Sequence, residues 1–511
     1  MKRIYVIILL LSFNCFGCKD MFDDFLTEEP EVVVSNTNFW KTEKDVESAF
    51  YELYASFRGT LGHVTPRLYR DRGLPFDYLG LTWRAISNND LRSTFDVNDS
   101  ALSWLNEYRV IGQCNFILDN LHRANLPEDR ENYYIGQALT IRAYMYFYII
   151  RTWGDAVLIL SEGDVGEKGV TPWKEISRVI TGDLKKAATL LPVVSDLKDA
   201  SGGLVVSRQV PSRGMAWAIL AHVLAWQASF GDEPDLYKDG IEAATNVIKH
   251  GGFSLVKSPS EVCDVVLKGN SEEGILELDF DDKNSETNPS GSCMAGVTEK
   301  WPVVQNTLPS TRRTLLRINN TTIMEMFPDK TDKRREEYFY KLDSMSKVST
   351  STTQGAAYIQ KFRYPLYHES GSKLGQIRAF DLNEILIRLA DIYLLRAEME
   401  AKSGHEGEAI DDLNVIRRRA GALDYSTEEG DLNEAIARER EKELFLEGIC
   451  TRYFDIVRNK TFREKLRGDF KTLTDQDVLD GALFFPISTD AFYNNTKMTQ
   501  NVYWKTRGFA I

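Results

Sequence analysis

Residues 381–420 read DLNEILIRLADIYLLRAEMEAKSGHEGEAIDDLNVIRRRA. Two apolar-periodic runs, Asp381 to Ser403 and His405 to Ala420, flank Gly404. That pattern predicts two antiparallel helices joined by a tight turn. Ala397 and Ala409 stand twelve positions apart across the turn, followed by Leu413. Small residues at this spacing let paired helices approach closely, as in tetratricopeptide repeats.

The same arrangement recurs upstream. Arg213 to Ser229 and Asp235 to His250 form a second pair, with a longer loop at Gly231-Asp232-Glu233-Pro234 and a stop at Gly251-Gly252. Further i, i+3, i+4 stripes run from Asp45 to Phe57, Tyr133 to Thr152 and Ser177 to Leu191. Asp431 to Arg458 reads as a long helix or a bent pair. Strand-like alternation is scarce, and Gly274 to Phe280 carries the best of it. The repeat period is irregular. The fold expected is therefore mainly α with minor β: a divergent scaffold of helix–turn–helix pairs, or a generic helical bundle. Trp217, Trp226 and Tyr393, on alanine-rich helical faces, are assigned to the core.

Two segments lack periodicity, Arg58 to Asp99 and Asp281 to Arg313. Both exceed what a connection needs and both are rich in aromatics and amides, which points to function. The first holds Tyr69, Asp77, Tyr78, Trp83 and Asn88; the second holds Trp301 and Arg312. Aromatic faces stack on the apolar faces of a ligand, while amides, carboxylates and guanidiniums bond its polar groups. These seven residues are the candidate ligand contacts.

At 511 residues, 43% hydrophobic and 27% charged, the chain has an ordinary globular balance. Its formal charge of −13, without a long basic cluster, argues against nucleic acid as a partner. Residues 1–17 read as a lipoprotein signal peptide: a basic start, an apolar run from Ile4 to Phe13, then Gly17 before Cys18. Cys18 is the expected lipidated N-terminus, with Cys15 the alternative. Removing Lys2 and Arg3 lowers the charge by two, to −15. Two or three acyl chains anchor a protein stably where one is marginal. The acidic stretch Asp20 to Asp24 fits either an export signal to the cell exterior or a solvated tether.

Chemistry is sparse. His405-Glu406-Gly407-Glu408 lacks the second imidazole of a zinc helix, and there is no nucleophile elbow or phosphate loop. Glu443 and Glu447 are placed on one helical face, too close for an inverting glycosidase, with Arg440 and Arg452 as salt-bridge partners. Cys114, Cys263, Cys293 and Cys450 show no metal-ligand spacing, and the sequence leaves their disulfide state open. Asp279 to Glu286 is oxygen-rich but lacks EF-hand spacing, so a solvated acidic loop is expected over calcium. Neither a metal nor a cofactor is expected.

An ordered set of motifs resembles the SusD/RagB outer-membrane lipoproteins. Asp24 to Pro30, Phe39-Trp40-Lys41-Thr42-Glu43 and Ala49-Phe50-Tyr51 are similar to the family's opening; Arg142-Ala143-Tyr144 and Trp153-Gly154-Asp155 to its long helix and turn. Leu395 to Glu398, Leu413 to Gly421, Glu439 to Leu444, Arg452 to Asp455 and Phe485-Pro486-Ile487 follow in the family's order. Gln500-Asn501-Val502-Tyr503-Trp504 resembles its terminus, with Val502-Tyr503 in place of proline and glycine, and Ala156-Val157 departs where a proline is common. The resemblance implies a SusD-like fold over residues 18–511, with an N-terminal part to residue 230 and a C-terminal part beyond it. It also implies a lipid-anchored outer-membrane protein facing the exterior. Such a protein binds an oligosaccharide or polysaccharide and passes it to a SusC-type TonB-dependent β-barrel, without catalysis. A surface glycoside hydrolase and a peptide- or protein-binding repeat scaffold are the alternatives.

Overall fold

Stripes of alanine and long aliphatic side chains dictate a stack of helices. The computed structural model describes residues 39–62, 72–280, 288–289, 294–298, 303, 316–348 and 355–510. The longer helices are α1 (Glu43–Leu61), α2 (Leu81–Ser87), α3 (Leu105–Asn120), α4 (Glu128–Thr152), α5 (Trp173–Leu190), α6 (Arg213–Ser229) and α7 (Leu236–His250). After them come α8 (Asn320–Met326), α9 (Leu389–Lys402), α10 (Glu406–Ala420), α11 (Leu432–Glu443) and α12 (Thr451–Arg458). Each long helix packs on the next: α1 on α3, α3 on α4, α4 on α5, α5 on α6, α6 on α7, α7 on α9, and α9 on α10 and α11.

The alanine spacing is borne out. Ala397 and Ala409 are fully buried in one cluster with Leu394, Leu413, Ala435 and Ile436. Gly404 takes φ +84 at the turn, which an L side chain resists. Arg396 of α9 donates to both carboxylate oxygens of Asp412 in α10, at 2.7 and 2.8 Å. This planar bracket fixes the pair's register as well as its distance. Trp226 is fully buried, and Trp217 and Tyr393 pack against the core, as expected.

Two expectations need correction. Residues 384–388 are not helical. Glu384–Arg388 (β7) pairs antiparallel with Gly274–Leu278 (β2), and the helix begins only at Leu389. Every residue of both strands is buried, so Ile385-Leu386-Ile387 shows no polar alternation to distinguish it from helix. The segment from Arg58 to Asp99 is less irregular than its composition implies, because α1 runs on to Leu61 and α2 interrupts it. Helix α3 was not legible: Val110, Ile111, Cys114 and Ile117 form its buried stripe, but Gly112, Gln113 and Asn115 dilute the pattern. Asp431 to Arg458 is a bent pair, α11 and α12.

The remaining strands are β1 (Tyr78–Leu79), β3 (Asn288–Pro289), β4 (Leu316–Arg317), β5 (Pro365–Tyr367) and β6 (Ile377–Phe380). They form a two-residue ladder β1–β4 and a small sheet in the order β3-β6-β5. Beneath them lies a second apolar cluster around Phe76, Leu79, Leu316, Ile318 and Phe327. Among the described residues no helix is long and apolar enough to cross a membrane. Cys114 and Cys263 are buried free thiols and Cys450 is buried; Cys293 and Cys18 lie outside the described residues.

Candidate functional site

The β1–β4 ladder ties the first irregular segment to the strand that follows the second in sequence. Tyr78 faces Arg317 and Leu79 faces Leu316 in antiparallel register. The Arg317 guanidinium sits 5.5 Å from the centroid of the Tyr78 ring, which is about half exposed. One residue earlier, the Asp77 carboxylate accepts from the Asn319 backbone N–H at 2.5 Å and from the Thr322 hydroxyl at 2.9 Å. Asp77 is thus tied to the start of α8.

Beside this ladder opens a cleft of about 400 Å³, the size of a small-ligand site. Residues 72–77 form one wall and α8 another; Arg438, Glu441 and Arg452 come from α11 and α12, and Lys465 and Arg467 from the segment beyond. Arg452 donates to the Gly73 carbonyl at 2.8 Å and pairs with Glu441 at 3.2 Å. Arg72 is buried and spent on structure, donating to the Leu483 and Phe484 carbonyls at 2.8 and 2.9 Å. Burial, reinforced by neighbouring Arg452 and only partly offset by Asp77, pushes the Arg467 guanidinium below its ordinary range.

Of the predicted contacts, Asp77 lines the cleft, and Tyr78 adjoins it in sequence with its ring exposed. Trp83 lies on α2 and packs partly against the second apolar cluster, so part of its face serves the core. Asn88 ends α2. Its carbonyl accepts from the Asp469 N–H at 2.8 Å, and Gly468, at φ +62, lies so close that an added Cβ would come within 2.4 Å of it. Tyr69, Trp301 and Arg312 lie outside the described residues. Sequence reading missed Thr322, Glu325, Arg438, Lys465 and Arg467; only the charge run Arg463 to Arg467 hinted at the last two.

A larger cleft of about 530 Å³ lies among α1, α4 and residues 204–210, with Tyr51, Tyr54, Tyr133 and Tyr134 in its walls. None of the seven predicted contacts borders it.

The carboxylate pair is structural, but not with the expected partners. Glu443 pairs with Arg334 at 3.1 Å, Arg388 at 2.7 Å and Arg419. Glu447 pairs with Lys361 at 2.5 Å and Arg388 at 2.6 Å. Arg440 turns instead to Asp391 and Asp455, and Arg452 to Glu441. Nor do the two glutamates share a helix. Helix α11 ends at Glu443, and the chain turns through positive φ at Leu446 and Gly448. Of the oxygen-rich loop only Asp279 and Phe280 are described, and the Asp279 carboxylate accepts from Asn270 and Asn383; residues 281–286 lie outside.

Two family models match the chain: "SusD family" over residues 311–504, and a SusD-like model described as "Starch-binding associating with outer membrane" over residues 25–223. SusD-like protein P25 of Formosa agariphila is 25% identical, with 89% of each chain covered. SusD-like protein P2 of the same organism is 26% identical, over 91% of this chain and 92% of that one. Among solved structures, a SusD homolog from Bacteroides thetaiotaomicron superposes with a TM-score of 0.75 at 23% identity, covering 91% of this chain and 99% of the other. A SusD superfamily protein from Bacteroides vulgatus gives 0.68 at 21%, covering 91% and 100%. At such identities the superpositions speak for the fold. With models of one kind matching both ends of the sequence, and the stacked-helix fold shared over nine-tenths of its length, the chain belongs to the SusD/RagB family.

Proposed function

We propose that residues 18–511 act as one SusD-like unit, lipid-anchored through Cys18 on the outside of the outer membrane. The unit captures a glycan on the Tyr78–Trp83 face and delivers it to a SusC-type TonB-dependent β-barrel. One observation carries this reading. Tyr78 of the first aromatic-rich segment pairs, in the β1–β4 ladder, with a strand that follows the second segment in sequence, beside a cleft of about 400 Å³. Tyr78, next in sequence to the cleft-lining Asp77, offers a half-exposed ring. The family description, starch-binding and associating with the outer membrane, supports both ligand class and location. The reading includes no chemistry on the ligand: Glu443 and Glu447 are buried in ion pairs rather than presented to the cleft.

Affinity electrophoresis of the full chain in non-ionic detergent, against neutral and acidic polysaccharides, tests the reading. Retardation by one class, lost in Tyr78→Ala with the fold intact, is expected. If no polysaccharide slows the protein, the glycan reading falls and peptides become the ligands to examine.

A further inference from the structure

The cleft carries a charge balance opposite to that of the chain. The protein has a formal charge of −13, yet five cations and three carboxylates line this cavity. Some of these groups are already satisfied. Arg72 is bound to backbone carbonyls, and Arg452 is paired with Glu441. Asp77 accepts from Asn319 and Thr322. Arg438 holds a long, solvent-exposed pair with Glu434 at 3.4 Å. Among the described residues, Lys465 and Arg467 have no carboxylate at ion-pair distance, and the one hydrogen bond of Arg467 is a 3.5 Å contact with the Leu74 carbonyl. Glu325, on α8, is the remaining carboxylate of the wall.

Arg467 is also held in place. The segment bearing it is tied to Asn88 through the Asp469 N–H, and Gly468 is pressed against Asn88. Its half-buried guanidinium sits near Arg452, and burial with that like charge lowers its proton affinity. A fixed, partly desolvated guanidinium without a counter-ion binds an anion more strongly than a solvated one does, and its fork matches carboxylate and sulfate oxygens.

We infer that Arg467 and Lys465 form a subsite for the anionic substituent of a glycan, a carboxylate or a sulfate ester, beside the Tyr78 stacking face. This rests on the glycan reading above and narrows it to acidic glycans.

The test pairs polymers that share a backbone and differ in charge: polygalacturonate with its methyl ester, and dextran sulfate with dextran. The full chain in non-ionic detergent is run against each by affinity electrophoresis. The expected result is retention by a charged member over its neutral partner, weakening as salt rises towards roughly 1 M, where the Debye length is about 3 Å. Arg467→Gln, and separately Lys465→Gln, should each weaken it on the order of tenfold, the loss of one charge-assisted contact. Arg467→Lys should recover part of it, and Lys249→Gln, an exposed cation outside the cleft, should change nothing. Equal retention by charged and neutral partners overturns the inference and leaves the glycan reading standing. So does retention of a charged member that Arg467→Gln and Lys465→Gln leave unchanged. If neither these polymers nor any in the wider screen is retained, both fall together.

Discussion

Arg388, the last residue of β7, donates through Nε to Glu447 at 2.6 Å, with both side chains buried. The same guanidinium reaches Glu273 and Glu443 at 2.7 Å each. One side chain therefore ties the β2–β7 ladder to the end of α11 and the turn after it. Removing one partner of such a pair leaves a buried charge without compensation. Glu447→Ala and Arg388→Ala should each destabilise the fold by about 3–5 kcal/mol, read as a shift in the urea midpoint. Lys185→Ala, which breaks an exposed pair with Asp239, should leave the midpoint almost unmoved.

The network predicts acid sensitivity, and one glutamate predicts the opposite slope. Burial disfavours ionised Glu443 and Glu398, but the guanidiniums of Arg419 and Arg388 around the first, and of Arg458 beside the second, outweigh it and hold both carboxyls well below the usual range. Below pH 4.5 the unfolded chain binds more protons at these sites, so their contribution is full above that pH and is lost as pH falls. Glu277, in β2, behaves otherwise: burial raises it from 4.5 to about 7, only partly offset by Asn383 and Asn270. Here the folded state binds the extra proton, so stability is lost as pH rises through 7. Glu277→Gln keeps an acceptor for both asparagines, and should match the parent at pH 4 and exceed it at pH 8 by roughly 1–3 kcal/mol. A parent advantage at pH 8 in chemical denaturation would contradict this.

Tyr78 and Trp83 should separate binding from folding. Tyr78→Ala removes a half-exposed ring, and should cost about three- to tenfold in glycan affinity with the melting temperature unchanged. Trp83→Ala also removes a wall of the second apolar cluster, and should lower stability by about 2–4 kcal/mol as well. Titration calorimetry beside thermal denaturation distinguishes the two.

Gly468→Ala should act on both properties through one contact. Positive φ alone costs an L residue about 1–2 kcal/mol, and the new Cβ would overlap Asn88. Because the displaced segment carries Arg467, acidic-glycan affinity should fall together with stability, whereas Gly430→Ala, also at positive φ but with nothing within 4 Å, should leave affinity unchanged.

The scaffold was legible because its motifs are brackets between helices. Arg142 of the Arg-Ala-Tyr motif pairs with Asp183 of α5 at 2.7 Å, and Glu398 of the Leu-Arg-Ala-Glu motif pairs with Arg458 of α12 at 2.7 Å. Such pairs require particular residue types, so they leave a signature in the sequence. The strand at Ile385 was hidden because burial on both faces erases alternation. Of the residues that line the cleft, only Asp77 stood among the seven predicted contacts. Aromatic loops announce themselves by composition, but Arg467 reaches the cleft through a tertiary contact with Asn88, nearly four hundred residues away in the chain, and no local pattern encodes that.

The hydrogen bonds from Arg72 to Leu483 and Phe484 have a consequence for biogenesis. The wall of the cleft is secured by carbonyls synthesised more than four hundred residues later. A nascent chain still emerging from the ribosome lacks them, so this wall of the cleft can be secured only after the C-terminal segment is made.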